Sequence, residues 1–143
     1  LKYDNKTIKD ISLLVEQHLR PHTFKMGWTD SAVRRYIVDA GHMLEDLNQL
    51  VRADVTTKNK TKAKEIYDNL DEMEKRIEEV KAKEELSKIR PALSGDEIMK
   101  HFNIQPGPKV GVIMKALYEQ RINDGEVSKE EALQLAEETF KNL

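Results

Sequence analysis

The chain has no cysteine among its 143 residues, which excludes disulfides, thiolate metal sites and cysteine nucleophiles. Aromatic residues make up only 6%, and just four prolines and six glycines interrupt regular structure. No apolar run approaches the roughly 20 residues needed to span a bilayer. The opening, LKYDNKTIKD, has neither the basic start nor the apolar stretch of a signal peptide. A cytoplasmic protein without membrane contact is therefore expected. The sequence also opens without methionine and in mid-pattern, as expected of a piece cut from a longer chain. Phosphate-loop and nucleophile-elbow signatures (GxxxxGK followed by Ser or Thr, GxGxxG, GxSxG) are missing as well.

What is present is charge. Charged residues reach 35% of the chain, yet the net charge is only −2, so their distribution matters more than their sum. The length suits one domain or two small helical subdomains with a modest core.

Apolar spacing of three and four runs through almost the whole sequence and predicts an all-α fold, a helical bundle of about six to seven helices with one long helix. Ile8, Ile11, Leu14, Val15 and Leu19 mark a first helix that Pro21 ends, followed by a loop through His22, Phe24, Gly27 and Trp28. Thr29 or Asp30 can cap a second helix through Val33, Tyr36 and Ile37, which breaks near Gly41. A third carries Leu44, Leu47, Leu50 and Val51. From about 59 to 88, Ala63, Ile66, Leu70, Met73, Ile77 and Val80 form a heptad seam. It suits a long helix packed against a neighbour in the same bundle, or a coiled coil joining two copies. Ser94 and Glu97 have capping-box spacing before Ile98, Met99 and Phe102, and Ser128 and Glu131 repeat it before the last helix. Between them, Gln105-Pro106-Gly107-Pro108 is a turn that starts a helix at Pro108, and Gly125 ends that helix.

Three features could hold a polyanion. Between Arg52 and Lys64, the five basic residues Arg52, Lys58, Lys60, Lys62 and Lys64 face only Asp54, whereas the following stretch to Glu85 is strongly acidic. A basic helix end can neutralise phosphates and release their counterions, and Thr56, Thr57 and Asn59 add neutral donors. The alternative is an ordinary solvated helix start, although lysines there run against the helix dipole. The second feature is the turn GPKVG, in which Gly107 permits close backbone approach and the next helix points free N–H groups outward, beside Lys109 and Lys115. The alternative is a tight interhelical turn with Gly111 letting two helices pack closely. The third is the adjacent pair Arg34 and Arg35, one able to pair with Asp30 or Asp39 while the other meets phosphate. Trp28 reads as a packing residue sooner than as a base-stacking one.

His18 and His22 have the i, i+4 spacing of metal ligands, but Pro21 spoils that geometry, and no metal site and no catalytic residue is expected in this chain. Asp68 and Asp71 share a helix face yet read as solvated charge.

In order, the blocks LVEQHLRPH, WTDSAVRRYIVDAG, RADVTTKNK, IRPALSGDEIM and IQPGPKVGVIMKALYEQRINDG resemble the C-terminal half of class II CCA-adding tRNA nucleotidyltransferases, of the same family as the bacterial poly(A) polymerases. The actinobacterial form, with its HD-type region, is the most similar. The resemblance covers nearly the whole chain. It implies that a head domain elsewhere does the chemistry with Mg2+ and CTP or ATP, and that the helical body and tail hold tRNA. The head's glycine-serine turn and Asp-x-Asp pair are not in this sequence, nor is the nucleotide-selecting neck motif. The segments expected on that basis are 1–28, the last helix and loop of an HD-like region; 29–90, an RNA-binding body; and 91–143, a tail. The residues expected to face tRNA are Arg34, Arg35, Arg52, Lys58, Asn59, Lys60, Lys62, Lys64, Gly107, Lys109, Gly111 and Lys115. The parent would then be a nucleotidyltransferase and this chain alone inactive. Two alternatives are a segment of an HD-type metal-dependent phosphohydrolase, and an interaction domain that forms a homodimer through the long helix.

Overall fold

The computed structural model describes residues 2–84 and 90–143. Among them there is no strand, as the spacing predicts. Seven α-helices follow in order: α1 (Asn5–Gln17), α2 (Asp30–Ala40), α3 (Leu44–Ala53), α4 (Lys60–Glu84), α5 (Gly95–Phe102), α6 (Pro108–Asp124) and α7 (Lys129–Lys141). The stretch 85–88, which the spacing adds to the long helix, lies outside the described residues. The chain divides into two compact units, Leu1–Val80 and Lys81–Leu143.

In the first unit the core is built from Val33, Tyr36, Ile37 and Ala40 of α2, Leu44, Leu47 and Val51 of α3, and Leu70, Met73, Ile77 and Val80 of α4. The seam of α4 is therefore consumed inside one chain. That is the packed-helix reading of the heptad, and it takes away the face a dimer through α4 would use. Helix α1 packs on α2 and α3. Two polar ties hold it there: His42 Nε2 lies 2.9 Å from Asp10 Oδ1, and Arg20 donates to Asp39 at 2.8 Å.

The expected loop after α1 is instead a 3-10 helix, Arg20–Met26, with Pro21 in its first turn. Proline fits there because the first N–H groups of a helix have no intrahelical acceptor. Its residues feed an aromatic cluster: Trp28 packs edge-on to Phe24 at 5.5 Å and tilted against Tyr36 at 5.3 Å. The indole N–H donates to Thr23 Oγ1, and the Arg20 guanidinium lies over both the Trp28 and Tyr36 rings. Trp28 is thus a packing residue. Tyr36 donates its hydroxyl to Asn48 Oδ1 at 2.8 Å, and burial pushes the phenol pKa upward. Gly41 ends α2 at φ 54°, a left-handed conformation that glycine adopts without strain.

The apolar positions of α1 do not all turn inward. Leu13 and Leu14 are half-buried, whereas Ile8, Ile11, Val15 and Leu19 stay exposed.

The second unit is a three-helix arrangement in which α6 packs on both α5 and α7. Leu93, Ile98, Ile113, Leu117, Ala132 and Ala136 form its core, and Phe102 stacks on Phe140 at 4.5 Å. In the same unit Arg121 donates to Glu84 at 3.2 Å, with the two side chains only 6% and 11% exposed. The box at α5 is complete: Ser94 Oγ accepts from the Glu97 N–H and Glu97 accepts from the Ser94 N–H. At α7 the Ser128 half of the expected box forms, Ser128 Oγ accepting from the Glu131 N–H.

Glu97 also accepts from Lys129 at 2.8 Å, tying the start of α7 to the start of α5. The Lys129 ammonium, and after it the Ser94 N–H, hold the Glu97 carboxyl down at about 2, well below its ordinary 4.5. A carboxyl depressed on folding contributes stability above its unfolded pKa and loses it as pH falls through the folded one. Wild type should therefore exceed Glu97→Gln in melting temperature at neutral pH, and the gap should close between pH 4.5 and about 2. Thermal melts across that range would refute this if the gap stayed constant. Ser94→Ala, which removes the cap, should cost about 1 kcal/mol.

Candidate nucleic-acid interface

Each unit carries one candidate surface. In the first, α3 ends at Asp54 and an exposed loop leads to α4. Asn59 caps α4, its Oδ1 accepting from the N–H groups of Thr61 at 3.0 Å and Lys62 at 3.2 Å. Thr57 Oγ1 in turn accepts from the Asn59 N–H. The cap explains how lysines are tolerated at this end, since two orphan donors are satisfied from within. It also leaves only the amide N–H2 of Asn59 to offer a phosphate.

Lys58, Lys60 and Lys62 are exposed and have no carboxylate partner among the described residues. Lys60 and Lys62 point to nearly opposite sides of α4, so the charge crowns the end of the helix instead of lining one face. Lys64 is paired with Asp68 at 3.0 Å one turn on, which dilutes its charge.

The arginines of the expected set are placed differently. Arg52 makes a two-pronged contact with Glu74, Nε–Oε1 3.0 Å and NH2–Oε2 2.8 Å, and also donates to Asp71. Those bonds raise its pKa above the ordinary value, and they lock α3 to α4. Arg34 is buried at 6% exposure, and both Arg34 and Arg35 are engaged within the fold. Of the nearby acids, Asp30 accepts from Arg76 at 2.7 Å, and Asp39 from Arg20 at 2.8 Å. Arg52 thus ties α3 to α4, and Arg34 lies within the fold.

The second surface is the turn between α5 and α6. Asn103, at φ 52°, ends α5 in the left-handed conformation, and Ile104 N–H returns to the Met99 carbonyl. Helix α6 then begins after Gly107 with no side-chain cap and no acid in its first turn. Its first amides, at Lys109 and Val110, are therefore open to an external acceptor. Gly107, Gly111 and Lys115 follow at intervals of four and share one stripe. Lys109 is partly occupied, its ammonium 5.9 Å from the centre of the Phe140 ring.

Close helix packing does not account for Gly111. The residue is exposed, and a Cβ built there would meet nothing within 4 Å. An exposed helical glycine costs about 0.5–1 kcal/mol relative to alanine, so the position bears a cost that the fold does not return. Gly111→Ala should accordingly raise the stability of the unit by about that amount in chemical denaturation. A destabilised variant would show that the glycine serves the fold after all.

Sequence reasoning missed the Arg121–Glu84 pair, although a charged residue four after Leu117 on the inner face of α6 was a legible signal. The metal alternative finds no geometry: His18 Nδ1 lies 2.6 Å from the Val15 carbonyl. Among the described residues no three of His, Asp and Glu gather. No helix among them is long and apolar enough to cross a membrane.

Comparison with known proteins puts these surfaces in context. The family model "tRNA nucleotidyltransferase domain 2" matches residues 1–136. A CC-adding tRNA nucleotidyltransferase of Thermus thermophilus is 31% identical over 132 residues, covering 92% of this chain and 28% of its own length. The chain therefore spans under a third of that relative. No solved structure matches. The phosphohydrolase alternative is left without support, and on the match across nearly its whole length the chain belongs to the tRNA nucleotidyltransferase domain 2 family.

Proposed function

We propose that this chain is the tRNA-holding portion of an enzyme that adds nucleotides to tRNA 3′ ends, and that the transfer chemistry takes place elsewhere in the enzyme. The observation that carries the reading is the crown of exposed, unpaired lysines Lys58, Lys60 and Lys62 in a chain of this family. Lysines without carboxylate partners give phosphate contacts at little internal cost, because nothing in the fold must be broken to make them. Asn59, Lys64 and the Gly107–Lys115 stripe add to the contact, with backbone amides and Gly111 admitting a phosphate where a side chain would obstruct it. Such contacts read backbone and shape, which suits an acceptor arm common to many tRNAs.

Mg2+ and CTP or ATP belong to the catalytic portion in this reading, and the chain alone transfers no nucleotide. Its setting is the cytoplasm. The name of the Thermus relative favours the two cytidines as the product. Titration of labelled tRNA across a salt series tests the proposal: binding should be tightest at low salt and fall linearly on logarithmic axes. No binding at low salt would end it. Gly111→Ala should weaken that binding while stabilising the fold, which separates a contact role from a folding one.

A further inference from the structure

The second unit holds a cavity of about 400 Å³ whose lining is mostly charged. Its most buried member is Arg121, on the inner side of α6 and only 5% exposed. A guanidinium carries five N–H donors. Among the described residues Arg121 uses a single nitrogen, Nη1 donating to Glu84 at 3.2 Å. Its Nε and Nη2 have no partner among them, although a charged donor held this far from water is normally satisfied.

Lys83 and Arg90 line the same cavity, exposed and without an ion-pair partner among the described residues. Three cations therefore meet two acids, and one of these, Glu84, is already engaged by Arg121. The other, Glu126, is exposed. A cation entering the cavity would face the idle donors of Arg121, and an apolar ligand would find only Ala92 and Val127. An anion satisfies those donors, and a planar guanidinium can meet a phosphate through two parallel bonds. Cations contributed by three residues suit a tetrahedral group, with acceptors on several sides, better than a planar carboxylate. A continuous nucleic-acid strand would bring further phosphates toward Glu126, and like charges in contact are costly. A compact ligand avoids that cost.

We propose that this cavity binds a small phosphate monoester, its phosphate held by Arg121, Arg90 and Lys83 and its organic part resting on Ala92 and Val127. The site goes beyond the tRNA reading. It is built wholly within Lys81–Leu143 and shares no residue with the lysine crown or with the Gly107–Lys115 stripe. A ligand of that size gains only modest affinity, with a dissociation constant on the order of 0.1–1 mM.

Nuclear magnetic resonance titration of the labelled 143-residue chain with inorganic phosphate and with adenosine monophosphate, at constant ionic strength, tests this. Saturable shifts are expected at the Arg121 Nε–H signal and at the Val127 amide. Adenosine monophosphate should bind several-fold more tightly than phosphate alone. Lys83→Ala and Arg90→Ala should each weaken binding about fivefold with an unchanged thermal melt. Arg121→Met alone leaves Glu84 short of a partner, so the guanidinium is better removed together with Glu84→Leu. That double variant should keep its helical circular dichroism and bind neither ligand. Changing Lys58, Lys60 and Lys62 to alanine should leave phosphate binding intact, so failure here and failure of the tRNA reading are told apart. No saturable shift by about 10 mM ligand overturns the proposal. So does undiminished binding in the double variant, or a site that takes a short RNA and neither small ligand.

Discussion

Arg121→Met is expected to destabilise the Lys81–Leu143 unit by about 3 kcal/mol, the low end for breaking a buried ion pair. The cost does not come from losing the pair's attraction. It comes from leaving Glu84, whose side chain is 11% exposed, as a desolvated carboxylate with one partner fewer. Glu84 has a further interaction in the fold, which is why the low end applies. A unit of this size has only a few kcal/mol of stability to lose, so urea unfolding followed by circular dichroism should show an early transition. Replacing Glu84 by Leu in the same chain removes the buried charge and should recover most of the stability, since apolar substitutes for buried pairs are often neutral. An unchanged midpoint in the single variant would mean that water already reaches the pair.

Lys58, Lys60 and Lys62 changed together to alanine should weaken tRNA binding about 10²–10³-fold near 0.1 M salt. The expectation follows from a slope of about 0.9 logarithmic units for each phosphate that a lysine neutralises. The dependence of affinity on salt should flatten by roughly two to three such units, and that readout separates the removal of phosphate neutralisation from misfolding. Folding should be unaffected, because none of the three is buried and Asn59 holds the helix start without them. Equal affinity, or lower affinity with an unchanged slope, would remove the lysine crown from the interface.

The helices were legible because their punctuation is local. Thr29, Ser94, Pro108 and Gly125 each act on neighbours within a turn, and each stands where its chemistry predicts. The exceptions depend on partners distant in sequence. The inner side of α1 faces α2 and α3, and spacing alone could not show which of its two apolar sides that would be. Nor could it show that Asp71 and Glu74 claim Arg52, since an arginine in a basic run looks the same whether it meets a phosphate or a carboxylate. Nor could spacing show that Arg34 is buried, or that Arg20 and Arg76 reach Asp39 and Asp30 from other elements. A guanidinium gains more from a two-pronged internal carboxylate than an ammonium does, and is more often recruited by the fold.

The aromatic cluster around Trp28 has a consequence for how unfolding of this protein would be watched. Trp28 is the chain's one tryptophan, and it sits among Phe24, Tyr36 and Arg20 in the first unit. Its emission reports on Leu1–Val80, whereas helical circular dichroism sums over both units. If the units melt independently, the two signals will give different midpoints for one sample, and a variant such as Arg121→Met will leave the fluorescence curve where it was.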